Sequence, residues 1–160
     1  MTTQQAETTG TATQAPTVNG VIMVAKIKQG QVEALRSLLQ DNVWQLTSPT
    51  GNLNTVGTVH FARFAVHGDN FIFASYFDGD LEDYLDDFFS FDQGETFDLI
   101  FRHCEDSPGP HDREKYKDFW KSHAIEEIAR YSYYPGVTCK EIEKALRIRN
   151  NMEAVLEDFE

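Results

Sequence analysis

Two short apolar segments near the middle of the chain carry its clearest structural pattern. Thr58–Val66 and Phe71–Phe77 both have apolar side chains at odd and at even positions, and His67-Gly68-Asp69-Asn70 between them has turn composition. A sheet with one face in water would alternate apolar and polar residues. The pattern therefore predicts a β-hairpin within a sheet that is covered on both faces. Because 160 residues supply helices enough for one face, we expect a partner subunit to cover the other.

The segments on either side of the hairpin alternate between strand and helix patterns. Val21–Ile27 is rich in β-branched residues and predicts a strand, and Gln29–Trp44 then switches to helical spacing. Beyond the hairpin, apolar residues recur at helical spacing in three further predicted helices, Leu81–Phe89, Glu95–Cys104 and Arg113–Ala124.

The last part of the chain predicts one more strand and one more helix. Ala129–Tyr134 has strand composition and ends at Pro135-Gly136. Thr138 and Glu141 form a capping box, which predicts that a terminal helix begins there. Without the extra helices the order is βαββαβ, so the predicted fold class is α+β, ferredoxin-like with extra helices. Two such sheets packed face to face would form a dimeric α+β barrel, so we expect a homodimer.

Composition divides the chain into a tail and one domain and limits its partners. Residues 1–18 are poor in charged and apolar side chains, which predicts a disordered tail before an α+β domain at residues 19–160. The net charge of -12 argues against nucleic acid and membranes as partners. Cys104 and Cys139 are too few for a disulfide scaffold and are expected as free thiols. No apolar run reaches membrane-spanning length, so a cytoplasmic protein is expected.

Several short pieces of the sequence resemble a known group of proteins. These pieces are His60-Phe61-Ala62-Arg63, Phe73-Ala74-Ser75-Tyr76-Phe77-Asp78-Gly79, Tyr84-Leu85-Asp86-Asp87-Phe88 and His103-Cys104-Glu105. They resemble bacterial dimeric α+β-barrel proteins with an H-F-A-R strand, an S-x-[YF]-D-G strand end and a later H-C-E-x-x-P. The chain departs from that pattern at Asp106-Ser107, where a glycine and an aromatic residue are expected before Pro108. The resemblance runs from Val21 to Leu156 and implies the fold without a defined reaction.

Related barrels supply the reaction classes that this resemblance implies. They include haem peroxidases of the dye-decolorizing type, chlorite dismutases and cofactor-free monooxygenases of antibiotic biosynthesis, which point to specialised metabolism. Many other dimeric barrels have no known chemistry. Three functions therefore stay open, and the first is a cofactor-free oxygenase, cyclase or isomerase that acts on a hydrophobic, oxygenated metabolite. The others are a non-catalytic ligand-binding or accessory subunit and a haem-linked, peroxidase-like protein.

Four residues are the candidates for catalysis: His60, Arg63, Tyr76 and His103. His60 and Arg63 lie three apart on one predicted strand, so we expect them on opposite faces of the sheet. Arg63 fits either an ion pair with a carboxylate such as Asp78 or a clamp for an anion or carbonyl. In an enzyme, Arg63 and Tyr76 would polarise a substrate oxygen, and His60 or His103 would move a proton.

His103 and Cys104 also have structural interpretations. An imidazole near a helix end can interact with the last carbonyls, and the alternatives for His103 are general base, haem axial ligand or metal ligand with Glu105. Cys104 continues an apolar stripe and is expected in the core. The chain has no paired metal-ligand spacing, so no metal is expected. No other cofactor is expected either, and haem is the one alternative.

Two further groups of side chains have a structural and a functional interpretation. Tyr131, Tyr133 and Tyr134 fit a pocket with polar tips or an aromatic core or dimer contact. The dense acids of Asp78–Asp87 do not match a calcium loop and are interpreted as a solvated helix face.

Overall fold

The structure is a computed structural model that describes residues 18–47, 53, 56–90, 93–109 and 112–157. Nothing is described for the side chains of residues 43–47, 88–90, 93–96 and 155–157, and the predicted tail lies outside the description apart from Val18. The described elements are, in order, β1 (Val18–Lys26), α1 (Val32–Thr47), β2 (Val59–His67), β3 (Asn70–Asp78), α2 (Leu81–Ser90), α3 (Gln93–Phe101), α4 (Arg113–His123), β4 (Ala124–Ile125) and α5 (Cys139–Glu157).

The four strands form one antiparallel sheet in the order β2-β3-β1-β4. Together with the five helices of the described residues, this makes an α+β structure that is compatible with a ferredoxin-like fold. Strands β2 and β3 form the predicted hairpin, in which His67 pairs with Asn70. Gly68 takes the first position of the two-residue loop with a φ of 57°, a value that hairpin loops of this length favour and that glycine adopts without strain.

One face of the sheet forms the hydrophobic core. Alternate residues of β1 and β3 point towards the helices, and the described apolar residues of α1, α2, α3 and α4 pack against them. Cys104 is fully buried in this cluster, which confirms its expected place in the core. The largest buried side chains are Met23, Phe71, Phe73, Phe77, Tyr84, Phe97, Phe101 and Tyr116. Burial of these aromatic rings stabilises the packing of the helices on this face of the sheet.

The acidic side of α2 is partly neutralised by α4. The carboxylate of Asp86 pairs with Arg113 and with Lys117, and Glu82 pairs with Lys121. These ion pairs lower the pKa of Glu82 and Asp86 below their usual values, chiefly through hydrogen bonds from lysine. The face that was interpreted as simply solvated therefore also holds two helices together.

The last strand is shorter and earlier than predicted. Ala129–Tyr134 was expected to be this strand, but β4 consists of Ala124 and Ile125, which pair with β1 directly after α4. The tyrosine-rich segment has strand composition, yet it leaves the sheet edge. Glu127, just before it, accepts a hydrogen bond from the hydroxyl of Tyr76 at 2.8 Å. Composition alone could not locate this contact, which joins residues far apart in the chain.

The expectation that His60 and Arg63 lie on opposite faces is also wrong. The pairing of β2 with β3 shifts between Val59 and Phe61, so that His60 is the extra residue of a β-bulge. The bulge breaks the strict alternation of side chains on which the expectation depended. His60 and Arg63 consequently line the same cavity.

The second face of the sheet is covered only in part. Residues 126–157, called the arm below, follow β4 and contribute Glu127 and Arg130 to this face. Large apolar side chains remain exposed on the sheet and on the arm. Phe61 of β2 has 67% of its surface exposed, and Ile128 and Tyr131 of the arm have 93% and 84% exposed. The sheet is thus apolar on both faces, as predicted, and one of them is open in the single chain.

Candidate functional site

A cavity of about 520 Å³, called the arm cavity below, lies between the open face of the sheet and the arm. Strand residues form one wall, and the arm segment from Arg130 to Val137 forms the other. Three of the four predicted catalytic residues, His60, Arg63 and Tyr76, line this cavity. The tyrosines of the arm line it too, which favours the pocket interpretation over burial in an aromatic core.

His60 is held in place by a carboxylate. Its Nε2 lies 2.7 Å from Oδ1 of Asp78, and both side chains are largely buried. Because an ionised carboxylate can only accept, Nε2 carries the proton of this hydrogen bond and Nδ1 is the nitrogen left for other partners. The arrangement joins the bulge of β2 to the end of β3.

Asp78 also anchors the start of the arm helix. The backbone N–H of Cys139 donates to Oδ2 of Asp78 at 2.9 Å, so a negative charge sits at the N-terminus of α5. Thr138 caps the helix and Glu141 accepts from its backbone N–H at 2.8 Å, which confirms the predicted capping box. Burial, with the adjacent Asp78 charge, raises the pKa of the Cys139 thiol to about 12, so the thiol is protonated.

His60, Asp78 and Cys139 are also the one group within the described residues that could hold a metal ion. Their ligand atoms all lie within 4.8 Å of one another. Imidazole, carboxylate and thiolate are the ligand types of zinc sites. Sequence spacing did not point to this group because its members come from three separate elements.

The ring of Tyr76 is fixed between the sheet and the arm. It lies across Gly20, where an added Cβ would come within 2.8 Å of the ring, and the guanidinium carbon of Arg130 lies 5.7 Å from its centroid. The hydrogen bond to Glu127, together with burial, raises the pKa of the Tyr76 hydroxyl above its usual value. The phenol proton is thus directed to Glu127, and Arg63 is the remaining cavity donor among the predicted residues.

Arg63 does not form the ion pair that was its expected structural role. Asp78 binds His60 and the N-terminus of α5 instead. With the residues that the structure describes, Arg63 makes no ion pair and no hydrogen bond. This leaves its guanidinium exposed in the cavity.

His103 lies apart from the other three candidates and does not line the cavity. Its Nδ1 is 2.9 Å from the side-chain oxygen of Gln31, and its carbonyl accepts from the backbone N–H of Lys28 at 2.9 Å. It therefore connects the end of α3 to the loop after β1. Burial and the nearby charges of Arg102 and Lys28 lower the pKa of His103 below 6.5.

We expect His103 to make the fold less stable in mild acid. A lowered pKa means that the unfolded chain binds the proton more readily, so the stabilisation is present above pH 6.5 and declines as the pH falls through the folded-state pKa. His103→Asn keeps a donor for Gln31 but cannot titrate. Its free energy of unfolding, measured in urea from about pH 7 to 5, should fall less steeply than that of the wild type. An identical slope would contradict this role.

Sequence reasoning missed the arm contacts of the site. Glu127 and Arg130 lie in a segment without periodicity or a motif, and Cys139 was noted only for its redox state. The one available signal was the cluster of tyrosines, for which a pocket was an open alternative. The distances that define the site join residues 51 and 61 positions apart.

Comparisons with protein families, with curated proteins and with solved structures found no match to this chain. None of the helices in the described part of the chain combines the length and apolarity that a bilayer crossing requires.

Proposed function

We propose that the chain is a small-molecule enzyme that binds a hydrophobic, oxygenated metabolite in the arm cavity and transfers a proton without a bound cofactor. The reaction classes that suit this chemistry are oxygenase, cyclase and isomerase. The observation that carries the proposal is that two side chains line one cavity: His60, which a carboxylate orients, and Arg63, which forms no ion pair with the residues that the structure describes. A cavity of this volume is within the range of small-molecule sites.

His60 is proposed as the general base. Asp78 orients the imidazole and would stabilise the cation that forms when Nδ1 takes a proton. Removal of a proton next to a carbonyl leaves negative charge on the substrate oxygen. Arg63 is the group that would bind this charge, because its guanidinium forms no ion pair with the described residues.

The proposal assigns no role to a metal or to haem. Both oxygens of Asp78 already accept hydrogen bonds, at 2.7 and 2.9 Å, which satisfies the group without a metal ion. His103, for which haem axial ligand was one of three alternatives, directs Nδ1 to Gln31 and lies outside the cavity. A cytoplasmic location is proposed with the same function, since both cysteines are free.

The first experiment identifies what the cavity holds and whether it is converted. The protein is purified from its own host, and its native mass, absorption spectrum and metal content are recorded. We expect a bound organic molecule, no Soret band and no stoichiometric metal. The released molecule is then incubated with fresh protein and followed by mass spectrometry for conversion.

His60→Gln separates catalysis from binding. The glutamine amide can still donate to Asp78 but cannot accept a proton, so we expect binding to persist and conversion to fall by about 100-fold or more. His67→Gln, at the exposed end of β2, is the matched control and should convert normally. Binding without conversion by the wild type would instead favour the non-catalytic accessory subunit, and a Soret band would favour the haem protein.

We also propose that the protein is a homodimer with a ferredoxin-like protomer, in which the open sheet faces of two copies pack together. The support is the set of large apolar side chains that the single chain leaves exposed on the sheet and on the arm, among them Phe61, Ile128 and Tyr131. A two-fold dimer would cover both surfaces with the same contact. The cavity would then be closed by the second copy.

A further inference from the structure

The charge of the cavity is opposite to that of the chain. The chain has 26 acidic and 14 basic residues. Among the described residues that line the cavity, however, two are arginines, Arg63 and Arg130, and none is an aspartate or glutamate. If the lining had the composition of the whole chain, it would contain more acidic than basic residues. The two arginines therefore indicate that the cavity prefers an anionic ligand.

Neither of the nearby carboxylates forms an ion pair with Arg63. Asp78 accepts from His60 and from the backbone of Cys139, and Glu127 accepts the hydroxyl proton of Tyr76. Glu127 also lies 3.8 Å from Nε of Arg130, so it is shared between two partners. Glu127 lines a smaller adjoining cavity of about 120 Å³, and Arg63 lines that cavity too.

Aromatic rings form much of the remaining lining. Phe61 projects from the sheet with 67% of its surface exposed. On the arm side, Tyr131, Tyr133 and Tyr134 all line the cavity and remain exposed. Such rings bind a planar apolar group by stacking or edge contacts.

We propose that the ligand of the arm cavity is a planar aromatic acid, whose carboxylate binds Arg63 while its ring system lies among Phe61 and the arm tyrosines. The planar guanidinium matches a carboxylate through two parallel hydrogen bonds. Arg130 lies on the opposite wall, where its charge is shared with Glu127. This inference rests on the proposed function for the place of the site and adds the class of its ligand.

Two naphthalene probes of matched shape test the inference. Fluorescence titration compares 2-naphthoate, which is an anion, with 2-naphthamide, which is neutral and has nearly the same size. The wild type should bind the carboxylate at least about tenfold more tightly. Arg63→Met replaces the charged guanidinium with an unbranched apolar side chain and should abolish the preference for the carboxylate probe. Arg149→Met removes the same charge from an exposed position of α5 outside the cavity and should retain it.

The outcomes separate this inference from the proposed function. Equal binding of the two probes to the wild type would overturn the anion preference and leave the cavity as a site for neutral molecules. A preference that survives in Arg63→Met would overturn the assignment to Arg63. If neither probe binds at millimolar concentration, the aromatic-acid ligand is overturned, while an organic molecule bound to protein purified from its own host would still support the proposed function.

Discussion

Phe73→Ala should lower the free energy of unfolding by about 3–5 kcal/mol. Phe73 is fully buried in the middle of β3, and its ring contacts three other rings. The centroid distances are 5.2 Å to Phe64, 5.7 Å to Phe97 and 5.2 Å to Trp120. Truncation removes edge-to-face contacts with both the hairpin and the helices. It also leaves a cavity that the surrounding side chains cannot fill by a small movement.

Urea unfolding at a fixed protein concentration measures this loss, since stability and association are linked. Leu99→Ala is the control, because Leu99 lies on α3 with 38% of its surface exposed and should lose less than about 1 kcal/mol. Phe73→Leu keeps part of the volume and should give a smaller, measurable loss where Phe73→Ala does not fold. Equal stability of Phe73→Ala and the wild type would contradict the described core.

Phe61→Asp should convert the proposed dimer to a monomer. Phe61 is the most exposed large apolar side chain of the described sheet strands, and a face-to-face dimer would have to remove the new carboxylate from water. A central interface residue of this kind is worth at least about 2 kcal/mol, or roughly 30-fold in the dissociation constant. Light scattering at micromolar concentration measures the mass of each form.

Leu99→Asp is the matched control, since it places the same charge on an exposed apolar position away from the sheet. It should remain dimeric. A wild-type monomer at micromolar concentration would remove the dimer proposal. A dimer that tolerates Phe61→Asp would move the interface away from the open face.

The local elements of this fold were predictable because their signals lie within a few residues. The hairpin at Gly68, the capping box at Thr138 and the buried stripe that includes Phe97 and Phe101 all appear as expected. Each depends on spacing along one helix or on the chemistry of one turn. Strand ends were less predictable, since β1 begins at Val18 rather than Val21.

The candidate site was predictable only in part. His60, Arg63 and Tyr76 were selected from the sequence, and the structure brings them to one cavity. The sequence could not predict that they share it, because the β-bulge at His60 depends on pairing with β3. It also could not predict that the carboxylate of Asp78 would accept a hydrogen bond from His60 and would not pair with Arg63.

The sequence by itself determined that this is an α+β chain with a sheet apolar on both faces, because side-chain alternation and helical periodicity are local properties. Only the tertiary structure decided where the last strand lies, which face of the sheet the helices cover, and that the arm forms a cavity with the other face. Those outcomes depend on contacts such as Tyr76 with Glu127, between residues far apart in the chain. The stability of such contacts depends on packing in three dimensions, and no local pattern in the sequence predicts it.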